Sequence, residues 1–437
     1  MSPLLFALFL SDLELFLKSK GLRGVSVSHL SEILLLAFAD DIVILADSYI
    51  AMKNVTKYLF EYCVINKLIV NVKKTKIILF QKGGHGHKKK LAPFFFGIDL
   101  IEYVNEYKYL GVTMTQTALF EQATKQYIIK SKAACTSTIS LIFSLNIDTR
   151  NVYNKLFDSL VISVLLYAAP VYAIRYLNEI EKVQMFFFKR ILNLSYCTPN
   201  YAVRLETGRS HLGVLVFKQT LNWLIKIMAM SDERTPKICL LKQISLMSLD
   251  SKLCKYNWAL QICQTFFQPI GKASMWDNLT LASLLSQKKS LINAYKNFTY
   301  NKDTADYFKS NSLLIYTDLR LKTGQQYYFR LRLKIKFYRF IAQIRLMNNI
   351  TNKLCIDQDI YKFNDDTTCH LCNKNNSFFH MLIECNHFHD KRLQSKLPLT
   401  ENFNLNLFNI LEEPNSKLIS NLYSLTKHIL YTYNLNN

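Results

Sequence analysis

The spacing of hydrophobic and polar positions changes near residue 115. Residues 1–114 combine short apolar runs with one stretch of helical spacing at 48–67, so they predict a mixed region in which helices accompany an antiparallel sheet. Beyond this point the pattern is mostly helical, and a further helical stretch is expected within 250–350. The clearest helical patterns cover 118–144, 151–172, 177–194 and 214–230. The chain is therefore predicted to be an α+β region followed by a mostly α region.

Two adjacent carboxylates, Asp40 and Asp41, interrupt an apolar stretch at 33–46. The flanking runs are short and rich in Ile, Leu and Val, which predicts two buried strands with the pair at the hairpin tip. No Lys or Arg lies between Glu32 and Lys53 to neutralise the pair. Mg²⁺ is typically bound by one or two carboxylates plus substrate phosphates. The pair indicates either a metal-dependent phosphoryl-transfer site or a solvated turn, because Asp is also a common turn residue.

The charge balance points to a polyanionic partner. Lys and Arg number 54 against 32 Asp and Glu, which gives a net charge of +22. Nucleic acid is the first candidate and an anionic membrane surface the second. The segment 319–346 is rich in Lys, Arg and aromatic residues and has no acidic one, so it predicts either a nucleic-acid groove or a helix with a solvated basic face. Its candidate contacts are Arg330, Arg332, Lys334 and Lys336.

The ten cysteines fall into two groups. Seven are scattered, mostly in apolar helical stretches, and predict reduced core thiols in an intracellular, reducing compartment. No apolar stretch is suited to spanning a membrane, so no membrane association is expected. Three cysteines and a histidine cluster near the C-terminus with a CxxC spacing, and they predict a closed, structural Zn²⁺ site, with a chance cluster of thiols as the alternative. The proposed ligands are Cys369, Cys372, His380 and Cys385.

Four short motifs then stand in a recognisable order. The segment 2–6 begins with Ser-Pro, which is typical of a helix start, and it resembles the end of polymerase motif B. Phe38 to Asp41 resembles motif C, Asn71 to Lys76 resembles motif D, and Tyr107 to Val112 resembles the primer-grip hairpin, motif E. Together they resemble the reverse transcriptase of non-LTR retrotransposons. The C-terminal cysteine cluster resembles the zinc-binding element of the same family.

This resemblance implies a role for each matched residue. Two Mg²⁺ ions would be bound at motif C, with Asp40 as the main ligand and Asp41 in support. Lys74 would lie near the incoming triphosphate, and Ser2 and Pro3 would contact the nucleotide. Tyr109, Leu110 and Gly111 would hold the primer terminus. The expected partners are an RNA template and a DNA primer or target, and a nuclear location is expected from the family alone.

The resemblance also implies a division of the chain. We expect a partial polymerase palm at 1–114, a helical thumb with following helices at 115–230, and a mostly helical connection at 231–360. A zinc-binding element at 361–395 and a helical tail at 396–437 would complete it. Motif A, which supplies a third carboxylate, and the fingers lie upstream of motif B in the family. The 437 residues alone are therefore expected to be an inactive RNA-directed DNA polymerase fragment, with a non-catalytic nucleic-acid-binding remnant as the alternative.

Overall fold

The structure is a computed structural model. It describes residues 3–28, 31–80, 92–145, 147, 150–247, 255–310, 312–313, 316, 319–320, 324, 326–348, 352–357, 359–395, 397 and 403–435. The chain forms two compact units. Unit 1 comprises 1–125, 170–175 and 219–288, and unit 2 comprises 126–169, 176–218 and 289–437.

Unit 1 begins with short helices and hairpins, in agreement with the predicted α+β region. Its first helices are α1 (Pro3–Phe9), α2 (Leu13–Ser19) and α3 (Tyr49–Ile65). Ser48 caps α3, since its hydroxyl accepts a hydrogen bond from the Ala51 amide at 3.2 Å. Between α2 and α3 lie four strands in two antiparallel pairs, β1 (Val25–Ser28) with β2 (Ser31–Ile33), and β3 (Leu35–Phe38) with β4 (Asp41–Ile44).

The prediction that β3 and β4 are buried is wrong. Leu35, Ile42 and Ile44 pack against the core of α2 and α3, but Leu36 is 40% exposed and Phe38 is 61% exposed. Alternate residues of a strand point to opposite faces, and among the described residues only one face of this ribbon is covered. Continuous apolar runs are typical of strands covered on both faces, which is why the sequence suggested burial.

A second group of strands follows α3. The strands are β5 (Lys76–Ile77), β6 (Phe94–Phe96), β7 (Asp99–Tyr103), β8 (Glu106–Tyr109) and β9 (Val112–Thr115). The sheet order β5-β7-β6 has a parallel β5–β7 pair, and β8 pairs with β9. The strand β5 is therefore only two residues long, and the segment that follows it forms two hairpins, β6–β7 and β8–β9.

The remaining elements are mostly helical, as predicted. They are α4 (Glu121–Ser144), α5 (Arg150–Leu156), α6 (Ser163–Leu165), α7 (Ala169–Tyr172), α8 (Leu177–Ile191), α9 (Asn200–Thr207), α10 (Gly213–Met228), α11 (Thr235–Ser245), α12 (Trp258–Ile262) and α13 (Leu281–Lys309). Ile180, Val183, Phe187 and Ile191 form an apolar stripe along α8, and all four are buried. In the described residues no helix is both long and apolar enough to cross a membrane.

The C-terminal part of unit 2 consists of helices and two small sheets, each of two strands. It contains α14 (Ile335–Arg345), β10 (Lys353–Ile356), β11 (Asp359–Lys362), β12 (Asn364–Thr368), β13 (Asn375–Asn376), α15 (His389–Gln394), α16 (Phe403–Glu412) and α17 (Ser416–Leu435). Tyr423 of α17 packs edge-on against Phe337 and Phe340 of α14. The same tyrosine donates a hydrogen bond to Asp357 at 2.6 Å, so α17 is anchored on both α14 and the β10–β11 turn.

Candidate functional site

The Asp40–Asp41 pair lies at the tip of the β3–β4 hairpin. Phe38 is paired with Asp41, so Ala39 and Asp40 form a two-residue turn. Ala39 has a φ of 53°, in the left-handed region that hairpin turns of this length use and that Gly or Asn usually occupies. Asp40 lies in the turn and Asp41 begins β4, and both side chains are exposed. Because the turn interrupts the strand alternation, the two carboxylates need not point to opposite faces.

Both carboxylates are available to a cation. Among the described residues, neither Asp40 nor Asp41 forms an ion pair with Lys, Arg or His. Within the same residues, no third Asp, Glu, His or Cys joins them in a cluster that could hold a metal. Mg²⁺ is usually bound by one or two protein carboxylates together with substrate phosphates, and this pair supplies two carboxylates. The pair thus fits a divalent ion, but only as part of a larger ligand set.

A second hairpin tip lies near the pair. In the β8–β9 hairpin, Tyr109 is paired with Val112, and Leu110 and Gly111 form a turn with φ values of 46° and 86°. Partial burial raises the pKa of Tyr109, and the negative charge of Asp41 raises it further. The Asp41 carboxylate therefore acts on the Tyr109 phenol, which brings together residues predicted from motif C and from motif E.

The other predicted nucleotide contacts are less defined. Lys74 is exposed at a turn in which the Asn71 side-chain oxygen accepts from the Lys74 amide at 3.2 Å. The Thr75 amide also donates to the Asn71 carbonyl at 3.0 Å, so the turn is built on Asn71. Pro3 is described only as the first residue of α1. Ser2 lies outside the described residues.

Residues 1–114 match the family of reverse transcriptases (RNA-dependent DNA polymerases). The matched segment contains both hairpin tips and the Lys74 turn. No curated protein matches the chain. The reverse transcriptase family uses divalent metal ions and acts on nucleic acid, in agreement with the exposed carboxylate pair and the net charge of +22.

Outside the reverse transcriptase segment, the structure brings all four predicted zinc ligands together. Their ligand atoms all lie within 4.8 Å of one another, and the set is Cys369, Cys372, His380 and Cys385. The CxxC turn forms because the amides of Cys372 and Asn373 both donate to the Cys369 carbonyl, with Asn373 in the left-handed region at φ 58°. A short helical turn at His380–Glu384 then presents the last two ligands.

The sulfur spacing fits a tetrahedral zinc ion. With Zn–S bonds of about 2.3 Å, two sulfurs of a tetrahedron are separated by about 3.8 Å. The Cys372 and Cys385 sulfurs are 3.8 Å apart, whereas the Cys372 sulfur is 3.0 Å from Nε2 of His380, shorter than the roughly 3.5 Å of a tetrahedral S–Zn–N pair. Nδ1 of His380 is 3.6 Å from the Glu384 carboxylate, which is beyond hydrogen-bond distance, so this carboxylate neighbours the ring without fixing it. This Cys₃His cluster could therefore hold zinc. Its four protein ligands would fill the coordination of the ion, which is typical of a structural site.

Two thiols of the cluster are buried, and burial affects the protonation of one of them, Cys385. Cys369 and Cys385 are fully buried, and burial together with the neighbouring thiols raises the pKa of Cys385 to about 12. A cation is therefore needed before the Cys385 thiol ionises near neutral pH. Arg392, also buried, donates to the Cys385 carbonyl at 2.8 Å and fixes the backbone of that ligand. All nine described cysteines are free thiols.

The basic segment divides into exposed cations and buried aromatics. The four predicted contacts, Arg330, Arg332, Lys334 and Lys336, are all exposed. Several of the interleaved rings are instead core residues, since Tyr328, Phe329, Tyr338 and Phe340 are all at most 6% exposed. These rings stabilise unit 2 and are closed to nucleobases, because they are packed inside its core.

Sequence analysis missed a set of buried ion pairs in unit 2. Arg204 makes a two-pronged contact with Asp303 and also donates to Glu181 of α8. Glu206 accepts from Nε of Arg345 at 2.6 Å, and both side chains are at most 1% exposed. The partners are far apart in sequence, so no local pattern could have identified them.

Proposed function

We propose that residues 1–114 are part of the palm of a reverse transcriptase of the non-LTR retrotransposon type. The observation that carries this proposal is the exposed Asp40–Asp41 pair at a hairpin tip inside the segment that matches the family. The order of the four short motifs supports the non-LTR type. The proximity of Asp41 to Tyr109 supports a common site for the two hairpin tips.

In this proposal each residue has a defined task. Asp40 and Asp41 offer oxygen ligands, and bound Mg²⁺ would supply positive charge at the attacking and leaving oxygens during nucleotidyl transfer. Lys74 offers a positive charge to the incoming triphosphate. Tyr109 and the turn at Leu110 and Gly111 position the primer terminus through a backbone that the turn holds in one conformation. Ser2 and Pro3 would contact the nucleotide.

Metal binding tests the carboxylate pair without requiring activity. Mn²⁺, a spectroscopic substitute for Mg²⁺, is titrated in the presence of an RNA template, a DNA primer and a non-hydrolysable deoxynucleotide. We expect Asp40→Asn to abolish the bound Mn²⁺ signal and the matched variant Asp99→Asn, at another exposed hairpin turn, to retain it. An unchanged signal in Asp40→Asn would refute the metal-ligand role.

Primer extension tests the expected inactivity of the 437 residues alone. Nucleotidyl transfer in this family needs a third carboxylate, and none joins Asp40 and Asp41 among the described residues. We expect no extended primer with Mg²⁺ or Mn²⁺. Extension that disappears in Asp40→Ala would contradict this expectation and would make the chain a polymerase in its own right.

A second candidate function is nucleic-acid binding without catalysis. It is favoured by the four exposed cations at 330–336 and by a Cys₃His cluster whose proposed Zn²⁺ would crosslink the C-terminal part of unit 2. Because neutralised phosphates release counterions, the affinity should fall steeply as salt rises.

Salt-dependent binding separates this function from an inert protein. Changing Arg330, Arg332, Lys334 and Lys336 to Gln should lower the slope of log affinity against log salt by up to about four, roughly one per lost phosphate contact. The matched control changes four lysines exposed on α13 to Gln, namely Lys289, Lys296, Lys302 and Lys309. Equal slopes in the two variants would exclude a specific role for the segment 330–336.

A further inference from the structure

A pocket in unit 2 has no role in the functions above. It lies where α8 ends, between the loop that follows this helix, the end of α14 and the β10–β11 hairpin. Its volume is about 90 Å³. At about 10–15 Å³ for each water-sized group, this space holds roughly six to nine such groups, and a pyrimidine base has about eight non-hydrogen atoms. A purine, with at least about nine ring atoms, would extend beyond this space.

The lining of the pocket combines apolar walls with hydrogen-bonding groups. Leu346, Met347 and Ile360 supply apolar surface, and Asn193, Ser195, Thr198 and Asn348 supply amides and hydroxyls. The lining residues include no carboxylate. Asn193 is exposed, and a side-chain amide can both donate to and accept from the edge of a base. The pocket is therefore suited to a flat, uncharged ring with polar edges.

The rim of the pocket carries two like charges in direct opposition. Lys353, which lines the pocket, is paired across the β10–β11 hairpin with Lys362. Both lysines are exposed, and among the described residues neither forms an ion pair. The nearby Asp357 is already engaged by Lys427 and Tyr423. Like charges directly opposite each other destabilise a hairpin unless an anion lies between them.

Ile360 connects the two features. It is paired with Cys355 in the same hairpin, and both residues line the pocket. Because alternate residues share a face, Lys353 and Cys355 on β10 lie on the face that also carries Ile360 and Lys362 on β11. An anion at the two lysines would therefore lie beside a ring in the pocket, which is the arrangement of one nucleotide.

We propose that this pocket binds one unstacked pyrimidine nucleotide of a single strand, with the base inside and its phosphate between Lys353 and Lys362. Single-stranded nucleic acid is commonly recognised through bases that are turned out of the stack. The inference rests on the proposed nucleic-acid binding and adds to it a defined base-binding site. The 2′-hydroxyl is left open, so both RNA and DNA strands are suitable probes.

The test compares homopolymer strands. Fluorescence anisotropy of the full chain with oligo-U, oligo-dT and oligo-A should show tighter binding of the two pyrimidine strands. Ile360 is 58% exposed, so Ile360→Trp should fill the pocket without disturbing the core. We expect this variant to lose about tenfold in affinity for pyrimidine strands, the scale of one lost base contact, with an unchanged salt slope. Leu285→Trp, at an exposed position of α13, is the matched control.

Two further measurements keep the proposal testable if Ile360→Trp misfolds. Lys353→Gln and Lys362→Gln should each lower the salt slope by about one, because each removes one phosphate contact. Alkylation of Cys355, which is half-buried in the pocket, should slow when oligo-U binds and stay unchanged with oligo-A.

The outcomes separate the two proposals. If the wild-type chain binds strands in a salt-dependent manner but shows no pyrimidine preference and no protection of Cys355, the pocket assignment is wrong and nucleic-acid binding stands. If no strand binds at any salt concentration, both proposals fail. A preference that persists in Ile360→Trp would also overturn the pocket assignment.

Discussion

The two candidate metal sites differ in every property that decides what a metal would do there. The Asp40–Asp41 pair offers two exposed oxygen ligands on a narrow hairpin, whereas the Cys₃His cluster offers four converging ligands, of which Cys369 and Cys385 are fully buried. An open, incomplete set allows substrate phosphates to join the coordination, while a closed set leaves no position for them. Both sites contain metal ligands. The comparison shows that the number of ligands and their burial distinguish a candidate catalytic metal site from a candidate structural one.

The two sites also differ in the contacts that surround their ligands. Neither carboxylate of the pair has a charged partner among the described residues, so a bound ion would not have to displace one. The cluster instead has supporting contacts, because Arg392 fixes the Cys385 backbone and Glu384 lies beside the His380 ring. A site that must exchange its ligands benefits from loose surroundings, and a crosslink benefits from rigid ones.

The largest expected effect is at the closed site. Cys385→Ser should reduce zinc content from one ion per chain to none and unfold the element around 369–394, because structural zinc contributes about 10–16 kcal/mol in isolated zinc-finger peptides. Zinc is measured by elemental analysis and local unfolding by hydrogen exchange. Cys135→Ser, which changes a fully buried thiol of α4, should keep the zinc. Equal zinc content in wild type and Cys385→Ser would mean that the Cys₃His cluster is not the zinc site.

The next expected effect is at the buried ion pair of Arg345 and Glu206 in unit 2. Arg345→Met should lower the free energy of unfolding by about 3–5 kcal/mol, because it leaves Glu206 as an unpaired buried charge. The double change Arg345→Met with Glu206→Gln should recover most of this loss. Denaturant unfolding followed by far-ultraviolet circular dichroism measures both. If Arg345→Met leaves the free energy of unfolding unchanged, the buried pair of Arg345 and Glu206 does not stabilise unit 2.

The smallest expected effect is at the open site. Asp40→Asn and Asp41→Asn should each change the free energy of unfolding by less than about 0.5 kcal/mol, because exposed side chains without partners contribute little to stability. Thermal unfolding measures the change. Asp303→Asn is the buried counterpart and should destabilise, since Asp303 pairs with Arg204 inside unit 2. Marked destabilisation by Asp41→Asn would mean that the pair also has a structural role.

Much of the candidate chemistry was predictable because it is local in sequence. The Asp40–Asp41 tip follows from two apolar runs around a polar dipeptide, and the zinc ligands follow from a CxxC spacing with a nearby His and Cys. The α8 stripe follows from a 3.6-residue period. In each case neighbouring residues carry the whole signal.

Other features could not be predicted, because they depend on distant parts of the chain. The exposure of Leu36 and Phe38 depends on what covers the outer face of the β3–β4 ribbon, which the strand sequence does not encode. The burial of Tyr328 and Tyr338 depends on helices from elsewhere in unit 2. The opposition of Lys353 and Lys362 depends on the register of one hairpin, and a shift of one residue would have placed them on different faces.

The Glu206–Arg345 pair has a consequence for how unit 2 is made. The two residues are 139 positions apart, and Arg204 and Asp303 are 99 apart. At a synthesis rate of about 5–20 residues per second, Arg345 follows Glu206 by roughly 7–28 s. During that interval α9 has emerged with Glu206 lacking Arg345 and with Arg204 lacking Asp303, so that Arg204 can pair only with Glu181. The helix α9 cannot be buried before Arg345 has been synthesised, so the rate of translation sets the time at which unit 2 can be completed. During these several seconds chaperones can bind the nascent chain.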